Sequence, residues 1–252
     1  MNLELLILLG IIFFFSSILQ GAVGFAFGLF AVPMLVWAGV NLSEAVAITS
    51  VSIFIQVLTS AYQLRVHIKW KEVRSATLVR YLTVPIGIYL LLVLDTMNKT
   101  QIKQILGAII LIILIVQISW KVAPQKESNP KLLVLAFSLS GIMQGMVAMG
   151  GPPAVLWAMT QRWTSHETRA FLLTLFLLVA PFQIALLYWS AKSDIGEAMM
   201  IGFAFTPVVI LGSIIGVRLG NSIDVTLLRR MALGILLITA ILSIASPILE
   251  NF

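Results

Sequence analysis

Two short runs of glycine and proline interrupt apolar sequence, each just after a glutamine. The first is Gln20-Gly21-Ala22-Val23-Gly24-Phe25-Ala26-Phe27-Gly28. The second is Gln144-Gly145-Met146-Val147-Ala148-Met149-Gly150-Gly151-Pro152-Pro153. Proline is favoured in the first turn of a helix, where its missing N–H is not needed. Pro152 and Pro153 therefore read as the start of a helix, and Gly24 as the opening of a matching one. A helix N-terminus carries unpaired N–H groups and about half a positive charge, which suits an anion. Glycine lets a ligand reach the backbone, and the amides of Gln20 and Gln144 add donors. The candidate anion site is thus Gln20, Gly21, Gly24, Phe25 and Gly28 facing Gln144, Gly145, Gly150, Gly151, Pro152 and Pro153. No catalytic group, metal site or cofactor is expected. The chain has no cysteine, which removes disulfides, thiol nucleophiles and Cys-ligated metal. His67 and His166 both lie in charged loops.

The elements that hold these residues must be membrane helices. The chain has 252 residues, 60% hydrophobic and only 10% charged, against about 25% charged in a soluble domain. Lipid must cover what charge does not. Apolar segments fall at 3–20, 22–39, 45–64, 76–94, 102–120, 132–149, 153–161, 168–190, 198–217 and 231–249. Many approach the length that crosses a hydrocarbon core of about 30 Å. The expected fold is all-α, a polytopic membrane protein of about 8 to 10 helical segments. The N-terminus lacks the basic region of a cleavable signal peptide and reads as the start of the first helix. The net charge of +6 reflects basic loops on the cytoplasmic face, not nucleic-acid binding.

The two halves resemble each other. Besides the Gln-Gly runs, Thr83-Val84-Pro85 matches Phe205-Thr206-Pro207, and residues 99–107 match 225–234, all at offsets of 122 to 127. This divides the chain into a first repeat, 1–122, and a second, 131–252, joined by a cytoplasmic linker at 123–130. Placing loops 62–75, 121–131, 161–169 and 218–230 inside puts 12 of the 16 basic residues in the cytoplasm, and 13 with Arg80 just inside the next helix, as the positive-inside rule requires. Both termini then face outside, and matched loops lie on opposite faces. That is an inverted repeat, common in secondary transporters.

Segment 132–160 must enter and leave on the same side. Two full crossings need roughly 40 residues, so it reads as a hairpin that turns inside the membrane. Segment 3–39 is either a hairpin or two short crossings. Unpaired backbone in hydrocarbon costs several kcal/mol per group, so such breaks persist only where protein or water satisfies them.

The two Gln-Gly runs, with Pro33 after the first, resemble those of the sulfite exporter TauE/SafE family, and the likeness covers nearly the whole chain. The resemblance implies a secondary transporter, an exporter of sulfite, an organosulfonate or a related small oxyanion. An anion channel or a non-transporting assembly subunit is the alternative. A membrane-embedded enzyme would need clustered His, Asp, Glu, Cys or Ser at the interface, and none appears. The partners expected are a small anion and the lipid bilayer, with a homodimer left open. All ten acidic residues fall at helix ends or in loops, so no carboxylate proton relay is expected. Thr49, Ser50 and Ser52 are candidates for a coupling ion or for ordinary interhelical hydrogen bonds. Arg80 is read as snorkelling to the cytoplasmic mouth, with contact to the substrate at that mouth as the alternative reading, and no cation is expected at mid-membrane.

Overall fold

The computed structural model describes residues 3–119, 129–190 and 194–222, with Gly234, Leu237, Ala240, Ile241 and Ser243 beyond them. Most of the expected linker lies outside the described residues, as does most of the segment expected at 231–249. Among the described residues there are ten α-helices and no strand. They are α1 (Leu3–Val23), α2 (Phe27–Trp37), α3 (Leu42–Gln63), α4 (Trp70–Leu94), α5 (Lys99–Ser119), α6 (Pro130–Val147), α7 (Gly151–Ala158), α8 (Ser165–Ser190), α9 (Asp194–Ala204) and α10 (Thr206–Ser222). Of these, α1, α3, α4, α5, α6 and α8 are long and apolar enough to cross a bilayer. Helices α9 and α10 are long and apolar enough to do so only when taken together, and they are bent by 55° at the break between them. The chain is a multi-pass membrane protein.

Pro207 explains the bend. Its ring cannot accommodate the carbonyl four residues back, which is that of Phe203. The Thr206 hydroxyl donates to this carbonyl at 2.5 Å. Pro85, matched to Pro207 by sequence, sits inside the unbroken α4.

Packing shows where the halves correspond. A Cβ on Gly145 of α6 would meet the carbonyl of Val84, the nitrogen of Ile88 and the Cα of Gly87 on α4. A Cβ on Gly21 of α1 would meet the carbonyl of Ser213, the nitrogen of Val217 and the Cα of Gly216 on α10. The two triplets are 129 positions apart, seven more than the proline match. Small residues let membrane helices approach this closely. Each half therefore lends a helix to the other: α4 lies on α6, and α10 lies on α1.

The contacts also fix direction. Gly141 of α6 meets Arg80 and Thr83, and Gly145 meets Val84 and Ile88, so α6 runs parallel to α4. Gly212 meets Phe14, Gly216 meets Ile18 and Gly220 meets Ala22, so α10 runs parallel to α1. Lys69 pairs with Glu167 at 2.5 Å and the His67 and His166 rings lie 5.3 Å apart. These contacts bring the starts of α4 and α8 to one end of the bundle. At the other end Asp95 accepts from the Ser43 hydroxyl at 2.8 Å, and Lys99 donates to the Gly39 carbonyl at 3.0 Å. Helix α6 enters from the Lys69 end. Helix α7 turns back along it, with Ser140 bonded to the Gly150 carbonyl and Phe137 against Trp157 at 5.2 Å. Helices α1 and α2 form the opposite hairpin, with α2 ending at the Lys99 end. The fold is an inverted repeat with two re-entrant, interrupted segments.

Replacing Gly145 or Gly21 by leucine forces backbone from backbone. Each substitution is expected to cost at least about 1–3 kcal/mol, read as a fall in Tm of the purified protein in detergent. Gly10→Ala, whose Cβ would meet the Phe205 ring at an ordinary 3.5 Å, should leave Tm unchanged.

Candidate functional site

Helices α1 and α6 end alike. Each stops at a left-handed residue four positions after its glutamine: Gly24 with φ +100° and Ala148 with φ +54°. The Gly24 N–H donates to the Gln20 carbonyl at 2.6 Å, and that of Ala148 to the Gln144 carbonyl at 3.0 Å. A left-handed residue is a common way to end a helix. Gly24 lies in the turn itself, and the half-helix expected to open there begins at Phe27, capped by Ala26.

The glutamine side chains then staple the breaks. Gln20 Oε1 accepts the N–H of Phe27 at 3.0 Å, and its Nε2 donates to Gln56 Oε1 at 3.1 Å. Gln56 continues to the Ser60 hydroxyl at 2.8 Å, which lies 2.7 Å from that of Ser213. In the second half Gln144 Oε1 accepts the N–H of Gly150 at 3.1 Å, and its Nε2 donates to Gln183 Oε1 at 2.7 Å. Gln183 returns a bond to the Gln144 carbonyl at 2.9 Å. All four glutamines are at most 1% exposed. The amides expected to reach an anion are engaged within the protein here. Gln56 and Gln183 were not singled out from sequence, although they lie 127 positions apart, close to the offset of the other matches.

The two breaks touch. A Cβ on Gly151 would meet the side chain and carbonyl of Phe25, and one on Gly28 would run into the Ala148 carbonyl. The structure thus gathers Gln20, Gly24, Phe25 and Gly28 with Gln144, Gly150, Gly151, Pro152 and Pro153. Gly21 and Gly145 are seats for α10 and α4 on the flanks of the breaks.

At the α7 terminus the donors are few. Gln144 holds the N–H of Gly150, and Pro152 and Pro153 have none, so Gly151 supplies the remaining first-turn N–H. Positive charge comes from Arg80 instead. Arg80 is 0% exposed, and none of its three guanidinium nitrogens has a hydrogen-bond partner among the described residues. Its Cζ stands 4.9 Å from the centre of the Phe176 ring. Its Nη2 abuts Gly150, 2.7 Å from where a Cβ would be. The snorkelling expected from sequence does not occur, because α4 begins at Trp70 and puts Arg80 about 15 Å along it, and the side chain is aimed across at α7. An unpaired buried charge costs several kcal/mol.

Arg169, expected in a cytoplasmic loop, is also buried, at 3% exposed in the first turns of α8. It is occupied: its guanidinium donates to the Gly21 carbonyl at 2.7 Å, the Val217 carbonyl at 3.3 Å and Asn221 Oδ1 at 2.8 Å. Of the hydroxyls on α3, Ser50 donates to the Val46 carbonyl at 2.7 Å. Thr49 and Ser52 have no partner among the described residues.

A family model, sulfite exporter TauE/SafE, matches residues 9–243. The chain belongs to the sulfite exporter TauE/SafE family. It is 25% identical over 215 residues to a probable sulfite/organosulfonate exporter TauE of Cupriavidus necator, covering 84% of this chain and 83% of that one. No solved structure matches. In this TauE/SafE chain the two Gln-Gly runs that carried the resemblance are the stapled breaks.

Gln144→Leu would leave the Gly150 N–H and the Gln183 Oε1 unpaired, at about 1–3 kcal/mol for each unsatisfied buried group. The double substitution Gln144→Leu with Gln183→Leu removes both amides. It should destabilise by less than the sum of the single changes, a coupling that thermal unfolding of the four proteins in detergent would measure.

Proposed function

We propose that this protein is a secondary transporter that exports a small sulfur oxyanion, sulfite or an organosulfonate, across the cell membrane by alternating access. The observation that carries this reading is the meeting of two re-entrant breaks that enter from opposite ends of the bundle. Such a pair places a site at the pseudo-two-fold axis, reachable in turn from each face. The name of the Cupriavidus necator relative supports the chemical class. The face of the bundle holding Lys69 and Glu167 is the cytoplasmic one by its basic residues. The repeats span 1–122 and 131–252, and both termini lie outside.

Reconstituted into proteoliposomes, the protein should release trapped sulfite or methanesulfonate faster than empty liposomes do. Gly24→Val and Gly151→Val should insert normally and abolish this flux, the first through strain at φ +100° and the second through collision with Phe25. Flux in both variants at the parent rate would move the site elsewhere. No flux in the parent would favour an assembly role, and flux without saturation would favour a channel. Because the chain is free of cysteine, single cysteines report topology directly. Lys71→Cys should be labelled from the cytoplasmic side and Asn98→Cys from outside.

A further inference from the structure

The two-fold that relates the breaks does not relate the charges beside them. The spacing of 129 that carries Val84, Gly87 and Ile88 onto Ser213, Gly216 and Val217 carries Arg80 onto Val209, which is fully buried. The spacing of 127 that carries Gln56 onto Gln183 carries Thr49 onto Phe176, the ring beneath Arg80. One arm of the centre is therefore a guanidinium over an aromatic face beside the N-terminus of α7. The positions these spacings put in correspondence with that arm carry no charge: Val209, and Thr49, whose hydroxyl has no partner among the described residues. The second buried cation, Arg169, is committed to carbonyl oxygens.

We infer that Arg80 is the anion-binding residue of the central site and that the site takes a singly charged oxyanion. This rests on the reading that the paired breaks form the transport site. A sulfonate-type group accepts from the Arg80 guanidinium and the Gly151 N–H, beside which the Arg80 Nη2 already stands at Gly150. Charge-assisted hydrogen bonds to a planar guanidinium suit such a group. A divalent anion would bring a second charge into a buried centre that has no second free cation among the described residues. The empty site holds an uncompensated charge, and the loaded site is neutral.

Thermal unfolding of the purified full chain tests this by binding alone. Methanesulfonate should raise the parent Tm, and sulfate at equal concentration and ionic strength should not. In Arg80→Met the methanesulfonate shift should vanish, with affinity lower by about a hundredfold. The same variant without ligand should unfold at the parent Tm or above it, because a buried charge lacking a partner has been removed. Arg80→Lys should keep part of the shift. A sulfate shift as large as that of methanesulfonate, or no methanesulfonate shift in the parent, would overturn the inference. So would an undiminished shift in Arg80→Met, or a ligand-free Arg80→Met that fails to fold or melts well below the parent, since Arg80 would then be a structural residue. A parent that binds methanesulfonate but moves none in proteoliposomes would sink the transport reading and leave the role of Arg80 standing.

Discussion

Everything in this fold follows from one constraint: a helix broken inside hydrocarbon must still satisfy its backbone. The chain meets it twice with the same device. A glutamine one turn before the break reaches forward and accepts an N–H at the start of the next helix, that of Phe27 for Gln20 and of Gly150 for Gln144. The carboxamide still has its own N–H groups to place, so a second glutamine on the next long helix of the same half takes one of them. The bond pattern ties α1 to α3 and α6 to α8. It makes each break a fixed corner, and the left-handed turns at Gly24 and Ala148 are held by the helices on either side.

Close packing is the second use of small residues, distinct from the first. Gly21, Gly145, Gly87 and Gly216 line the seams where each half receives a helix from the other. Gly28 and Gly151 instead allow the two breaks to meet. A glycine count would not separate these roles, since Gly21 and Gly24 are three residues apart and serve different neighbours. Geometry separates them: a side chain at Gly21 would strike α10, and a side chain at Gly151 would strike Phe25.

The membrane class, the inversion and the breaks were readable because each leaves a local or periodic mark: long apolar runs, basic loops, and Gly-Pro clusters after Gln-Gly. Arg80 was misread because its depth depends on where α4 begins. Charged residues up to Arg74 suggested a loop, while the helix already starts at Trp70 and carries Glu72 in its first turn. Counting from that start would have placed the guanidinium deep in the bilayer. The glutamine partners were missed for a different reason. Gln56 and Gln183 are two among several polar residues of α3 and α8, and only the neighbouring helix reveals Gln20 and Gln144 as their partners. The last stretch of matched sequence, 225–234, falls mostly outside the described residues.

The hydrogen bonds sort the bundle into two groups. Gln56, Ser60 and Ser213 join α1, α3 and α10, with α2 held through Gln20. Gln144, Gln183 and the bond from Tyr81 to the Leu178 carbonyl join α4, α6 and α8, with α7 held through Gly150. Both glycine seams lie inside a group, α10 on α1 and α4 on α6, so these close contacts survive a rocking of one group against the other. Among the described residues, polar links cross between the groups at opposite ends. Arg169 of α8 binds carbonyls of α1 and α10 at the Lys69 end, while Asp95 after α4 accepts from Ser43 of α3 at the other. Between them the groups meet through apolar side chains and through the paired breaks. The staples, the seams and Arg80 each lie within one group, and the links at the two ends are the polar bonds that a separation of the groups at either face would have to break.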